Sequence, residues 1–287
     1  MSAVRARWAA AALVALAAVC APAHGAPDGA GIVDRALAHR SKACCIYQEL
    51  TMILSDAAGE RGLRRIRWYE RREPDGGSRL LLVFVAPADV RGAAVLLTRD
   101  APGAARGEIY LPALGRPLGL VAGAAGAMPL VGSDFNLADL LGEAPRNFVY
   151  AREADAEIDR SMHYVVRAAP ADAAAQRAGG GLRRYYIRKG DYFLVRIDFH
   201  DAYGLLARRQ SFRDPKQVEP GVWEAGMVLM EDFGERHRTL IKVERRVFSP
   251  EYVPPEIFSR QWLLEQRYLL VGGDSPFGPQ GARRDAE

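Results

Sequence analysis

The feature that most constrains this chain is a period of two that returns segment after segment between tight polar turns. Residues 183–188, the turn Lys189-Gly190-Asp191 and residues 192–199 read as a hairpin. In it Phe193, Val195, Ile197 and Phe199 line one face, and Arg196 and Asp198 the other. Residues 205–212 return. Residues 223–232 and 238–248 form a further hairpin across Gly234-Glu235, with Ile241, Val243 and Val247 opposing Lys242, Glu244 and Arg246. Upstream, Ile46, Leu50, Met52 and Leu54 share one face of residues 44–55, with Gln48 the exception. Ile66 and Trp68 then alternate with Arg65, Arg67 and Tyr69. Pro74-Asp75-Gly76-Gly77 is a strong hairpin loop. Residues 80–86 are apolar throughout, which predicts a strand covered on both sides.

Residues 93–98, 108–111, 148–152 and 162–168 are further strand candidates, and the sheet expected is one of about ten or eleven strands. Short loops between successive strands make the sheet antiparallel. Each strand adds about 20–25° of twist, so a sheet this large must curl or split. One apolar face with few helices to fill it then implies an enclosed hollow. The helices expected are residues 32–41, a short one at 136–141 with Asp134 or Asn136 as N-cap, and a closing one at 256–266 opened by Pro254-Pro255. Residues 118–132 are rich in Gly and Ala and carry no period, as a mobile lid would. Residues 169–181 read as a polar connection.

The amino terminus does not belong to this pattern. Arg5 and Arg7 precede an apolar run, residues 8–21, and Ala23-His24-Gly25 has the small-x-small spacing of a cleavage site. Residues 1–25 therefore read as a secretory signal peptide, the run being shorter than the ~20 residues that span a bilayer. The segment before Cys20 departs from a lipidation signal, because Val19 is bulky and no Leu lies three residues before the cysteine. Residues 26–271 read as one domain and 272–287 as a frayed tail rich in Gly, Pro and Arg.

Charge and cysteine usage narrow the class. The 287-residue chain carries a formal charge of +4, with 49% hydrophobic and 26% charged residues, as a globular protein does. Removal of Arg5 and Arg7 would leave about +2, too balanced for a nucleic-acid partner. The exported part keeps Cys44 and Cys45, whose adjacency disfavours a mutual disulfide. Lysine stands only at 42, 189, 216 and 242, the rest of the positive charge being arginine. With the abundance of alanine, this suggests a GC-rich bacterial genome, and so a soluble periplasmic protein.

Motifs for covalent chemistry are absent from the sequence. No G-x-S-x-G, G-x-x-x-x-G-K, H-E-x-x-H or paired C-x-x-C occurs. His200-Asp201 falls where a strand ends, and Asp201 suits the turn. Ser133 and Asp134 lack a partnered histidine, and Glu231-Asp232 point to opposite faces of one strand. Arg64-Arg65, Arg71-Arg72 and Arg245-Arg246 read as solvated strand faces. No catalytic residue, metal ligand or cofactor is assigned.

Three stretches are more particular. Phe84-Val85-Ala86-Pro87-Ala88-Asp89-Val90-Arg91-Gly92 is a marked turn; Ile109-Tyr110-Leu111-Pro112 follows; Gly132-Ser133-Asp134-Phe135 then precedes the short helix. In this order and spacing they resemble the bacterial outer-membrane lipoprotein-sorting proteins of the LolA-like family, whose sequence runs F-x-x-P-x-D-x-R-G, Y/W-L-P and G-S-D-F. The resemblance covers most of residues 26–271. Relatives often carry basic or aromatic residues after Y-L-P, where this chain has Leu118-Gly119-Leu120 and small residues, so its lid could differ.

The resemblance implies a half-open antiparallel barrel lidded by helices around an apolar cavity. Phe84, Leu97, Tyr110, Leu111, Phe135, Leu137 and Leu140 are the candidates for its wall. Pro87, Asp89, Arg91, Gly92, Ser133 and Asp134 are motif and turn residues, with Asp89 and Arg91 able to pair across the turn. The implied function is that of a periplasmic carrier of lipoprotein or lipid acyl chains, with an inner-membrane transporter as donor and an outer-membrane acceptor. Two alternatives remain: an envelope sensor that binds a protein partner, and a lipid-modifying enzyme. Cargo mass would separate carrier from sensor, and ester turnover would reveal an enzyme.

Overall fold

The structure, a computed structural model, describes residues 27–40, 42–100, 105–120, 128–141, 148–172 and 181–265. The expected signal peptide, the tail at 272–287, residues 121–127 of the expected lid and most of the connection at 169–181 lie outside the described residues.

Helix α1 is Gly29–Ala38, and fourteen strands follow. They are β1 Cys45–Ser55, β2 Arg61–Arg72, β3 Ser78–Ala86, β4 Ala94–Arg99, β5 Ala105–Leu111, β6 Arg116–Leu120, β7 Phe148–Arg152, β8 Ala156–Ile158, β9 Ser161–Pro170, β10 Arg183–Arg188, β11 Leu194–His200, β12 Leu206–Glu219, β13 Val222–Asp232 and β14 His237–Phe248. Helix α2, Leu137–Leu141, lies between β6 and β7, and α3, Arg260–Glu265, follows β14. All strands pair antiparallel in one sheet of order β6-β5-β4-β3-β2-β1-β14-β13-β12-β11-β10-β9-β7, with β8 on β9. The sheet curls and does not close.

Fourteen strands exceed the expected ten or eleven. Residues 116–120, expected within or beside the mobile lid, form β6, and the three-residue β8 carries too few residues for a period. Strand β12 runs to Glu219, past the apolar alternation, because Lys216 and Gln217 pair with β13 through backbone groups alone. The expected closing helix is broken: Pro255–Phe258 is a 3-10 turn, Ser259 is extended at φ −120° and ψ 150°, and only then does α3 begin.

The alternation sorts the sheet into two buried faces. On β3, Leu80, Leu82 and Phe84 join a cluster that includes Ile32 and Val33 of α1, Leu130, Phe135 and residues of β10 and β11. Leu81 and Val83 join a second cluster with Cys45, Tyr47, Tyr69, Tyr110 and the segment Val253, Ile257, Phe258 and Leu263. The strand at residues 80–86 is thus covered on both sides, as its unbroken apolar run implies. The first cluster lines the hollow of the curled sheet, and the carboxyl-terminal segment covers part of its outside.

Helix α1 begins where Asp28 accepts a hydrogen bond from Gly31 N at 2.8 Å. Ile32, Val33 and Ala36, spaced for one helical face, turn into the hollow. A Cβ on Gly29 would stand 2.9 Å from the backbone nitrogen of Arg152, so glycine is what lets the helix lie against β7. No helix among the described residues is long and apolar enough to cross a membrane.

Candidate functional site

The sheet order dictates what crosses the mouth of the hollow. Strands β1 to β6 step outward to one edge, and β7 to β14 return from the other. The connection from β6 to β7 must therefore pass from edge to edge across the open side. Its described part, residues 128–141, is tied down at three strands. Arg64 on β2 donates to the Val131 carbonyl. Arg208 on β12 donates to Asp139 Oδ2 at 2.8 Å and to the Asp134 carbonyl at 3.1 Å. On β14, Thr239 Oγ1 donates to Asp134 Oδ2 at 2.6 Å and accepts from Asp134 N at 3.0 Å. Burial raises the Asp134 carboxyl above its ordinary value, and the Thr239 hydrogen bond partly opposes that. Asp134 thus anchors the crossing segment instead of capping α2, where Asn136 N donates to Asp139 Oδ2 at 2.8 Å. Ser133 Oγ accepts from Phe135 N at 3.3 Å.

Beneath this plug lies a cavity of about 620 Å³, within the ~300–1,000 Å³ range of ligand sites. Val33, Ala36 and Leu37 of α1, Leu50 of β1, Phe212 of β12 and Ile241 and Val243 of β14 are among its apolar lining. Phe135 and Leu140 close it from the plug side. Gln48, Glu70, Arg183, Glu224 and Arg246 are among the polar residues of the wall. Arg183 is 7% exposed, its guanidinium 5.1 and 4.8 Å from the ring centres of Phe148 and Phe199. Burial lowers its pKa and pushes that of Tyr185 up to about 12.

Of the seven wall candidates, Phe135 and Leu140 line this cavity. Phe84, Leu97, Leu111 and Leu137 belong to the same inner cluster but not to the cavity wall. There the plug residues Leu130 and Phe135 occupy the hollow. Tyr110 belongs to the opposite face, packed with Leu96 and Phe258, because it alternates with Ile109 and Leu111. The turn residues behave as such. Gly92, at φ +86°, returns the chain so that its N–H reaches the Phe84 carbonyl at 2.8 Å, and Val90 N donates to the Pro87 carbonyl at 3.3 Å. The Asp89 carboxylate acts on the charge of Arg64; among the described residues no ion pair joins it to Arg91.

Arg246 is the main departure from the sequence reading. It was expected on a solvated face with Lys242 and Glu244, yet it stands half-buried in the cavity wall. The cause is a bulge. Glu49 pairs with Arg245 and Leu50 with Val243, so Glu244 is an extra residue on β14. One inserted residue reverses the faces beyond it. Arg246 therefore turns inward with Ile241 and Val243, and Val247 turns outward to the second cluster. Gln48 and Trp68 also line the cavity; their positions on the apolar faces of β1 and β2 are the one signal the sequence offered.

Asp201 Oδ1 accepts from Tyr203 N at 2.9 Å and Leu205 N at 2.8 Å, a turn as expected, while His200 Nε2 lies 2.8 Å from Arg184 Nη1. Among the described residues no cluster of His, Cys, Asp and Glu could hold a metal ion.

The same fold recurs in solved structures. An outer membrane lipoprotein-sorting protein domain from Vibrio parahaemolyticus is similar over 82% of this chain and 98% of its own, with 23% identity and a TM-score of 0.75. A DUF1329 family protein from Desulfovibrio piger matches over 79% and 98% at 20% identity and a TM-score of 0.70. A LolA superfamily protein from Nitrosomonas europaea matches over 83% and 100% at 14% identity and a TM-score of 0.62. No curated protein matches the chain in sequence. The fold is therefore LolA-like, a curled open sheet around a cavity. Residues 76–265 match the model of a family described as "-like: Uncharacterized protein", and the chain belongs to that family.

Proposed function

We propose that this protein is a periplasmic carrier that takes up acyl chains of a lipoprotein or lipid in its cavity and hands them on towards the outer membrane. The observation that carries the reading is the largely apolar hollow of about 620 Å³ held open between the curled sheet, α1 and the crossing segment. A packed core of this size would close such a volume, since voids larger than a water are few in protein interiors. Each methylene moved from water into the hollow contributes about 0.8 kcal/mol, so an acyl chain is held by buried area alone. It is released when a partner offers a better apolar site, with no bond made or broken. The reading places an inner-membrane transporter upstream and an outer-membrane acceptor downstream, and it assigns residues 1–25 the role of export signal. Likeness in fold to a lipoprotein-sorting domain supports it.

The test is native mass spectrometry of the protein purified from envelope extracts, paired with titration of a fluorescent fatty acid. An acyl lipid or lipopeptide near one per chain is the expected result. Bare polypeptide together with no fatty-acid binding would overturn the carrier reading and favour a sensor that binds protein.

A further inference from the structure

The wall of the cavity is not uniformly apolar, and three of its side chains that carry polar groups form a row across adjacent strands. Gln48 on β1 stands opposite Trp68 on β2 and opposite Arg246 on β14. Arg246 Nε donates to Gln48 Oε1 at 3.0 Å, and its Nη2 donates to the Ala225 carbonyl on β13 at 2.9 Å. The Trp68 Nε1–H is buried with no acceptor. All three side chains line the cavity.

The row has one chemical sign. Indole and guanidinium can only donate. Gln48 spends its carbonyl oxygen on Arg246, which leaves its amide nitrogen, again a donor. The nearby carboxylates are partly committed elsewhere. Glu70 pairs with Arg72 at 2.9 Å, and Glu73 lies 3.5 Å from Arg71 and 3.3 Å from Arg79. Burial lowers the Arg246 pKa; Glu224 and Glu70 offset some of its charge, and Arg40 adds to it. A purely hydrocarbon cargo would cover the Trp68 N–H and those donors of the row not already bonded and leave them unsatisfied, which is unfavourable in a dry site. An anionic oxygen would satisfy them, and charge-assisted hydrogen bonds are the stronger kind.

Resting on the carrier reading, we infer that the row Trp68–Gln48–Arg246 is a head-group seat, and that the cargo bears an anionic oxygen group, a carboxylate or a phosphodiester, beside its acyl chain. The aliphatic walls hold the chain and the row reads the head. The Glu244 bulge on β14 is what turns the arginine into the seat.

The test displaces the neutral probe N-phenyl-1-naphthylamine from the full chain with sixteen-carbon competitors below their micelle concentrations. These are palmitate, palmitoyl lysophosphatidylglycerol, hexadecanol and cetyltrimethylammonium. At least one anionic competitor is expected to act at about tenfold lower concentration than the cationic one. Which anion is favoured distinguishes a free fatty acid from a phospholipid as the source. Arg246→Met is expected to erase that preference and leave hexadecanol unchanged. Trp68→Phe keeps an aromatic ring and removes the N–H together with the pyrrole part of the indole. It is expected to weaken the anions about threefold more than hexadecanol, and it serves where Arg246→Met fails to fold. Equal displacement by anion and cation, or equal weakening of all competitors in either variant, would overturn the head-group seat and leave the carrier standing. Absence of displacement by every competitor would overturn both.

Discussion

Asp134 and Thr239 bond each other twice: the threonine hydroxyl donates to the carboxylate at 2.6 Å and accepts from the aspartate backbone N–H at 3.0 Å. One residue lies on the segment that crosses the mouth and the other on β14, fully buried. The pair is a clasp. Thr239→Val keeps the side-chain shape and strands both Asp134 groups. It is expected to cost about 1–3 kcal/mol in a denaturant melt. A variant as stable as the parent would show that the clasp bears no strain.

The pH dependence of the same clasp has a definite sign. The Asp134 carboxyl is raised by burial from an unfolded value of 3.8. Its contribution to stability is complete below that value and is lost as pH rises through the higher folded value. Asp134→Asn retains an oxygen for Thr239 and cannot ionise. The variant is therefore expected to gain stability relative to the parent as pH rises from about 3 to 7, read as paired melts across that range. A constant difference would mean that Asp134 is not perturbed by its burial.

Phe84 and Phe135 offer a comparison within one cluster. Phe84 is fully buried away from the cavity, and Phe84→Ala is expected to cost about 3–5 kcal/mol with probe affinity per folded molecule unchanged. Phe135 is 2% exposed but faces the cavity, so truncation enlarges an existing space. Phe135→Ala is expected to cost less, about 2 kcal/mol, and to weaken acyl-probe binding severalfold. Melts and titrations of both variants decide; an equal stability loss with equal affinity would assign Phe135 to the packed core.

The adjacent thiols differ in accessibility. Cys44 is exposed, whereas burial and then the Cys44 thiol, 2.7 Å away, push Cys45 up to about 12. Iodoacetamide at pH 8 is expected to alkylate Cys44 promptly and Cys45 only as fast as the chain unfolds. Peptide mass mapping over time reads both rates. Equal rates would show that the Cys45 environment opens locally.

Much of this fold can be read from the sequence, and what cannot has identifiable causes. The alternation in β1, β2, β11 and β14 reveals strands, the short loops between strands reveal antiparallel pairing, and the unbroken run in β3 reveals two covered faces. Strand number was underestimated at β6 and β8, and strand length at the polar end of β12, where pairing needs only backbone. The cavity was legible as a consequence of many strands and few helices, yet most of its lining was not. Motif residues drew attention to β3–β5, while the open volume lies against α1, β1 and β11–β14. Tyr110 could have been placed correctly from its own alternation with Ile109 and Leu111. Arg246 could not, because a bulge depends on the partner strand and leaves no mark in the residues of β14.

The strand order also sets a timetable for assembly. Strand β1 finds one neighbour, β2, within the next few residues, but its other neighbour is β14, so that Ile46 waits for Phe248. In any chain that emerges amino end first, β1 stands with an unpaired border until nearly everything after it has arrived. Contacts this distant along the chain make for slow folding, and an unpaired strand border recruits other chains. The molecule cannot be completed piecemeal: its central seam is closed last, and until then the nascent chain depends on being kept apart from its neighbours.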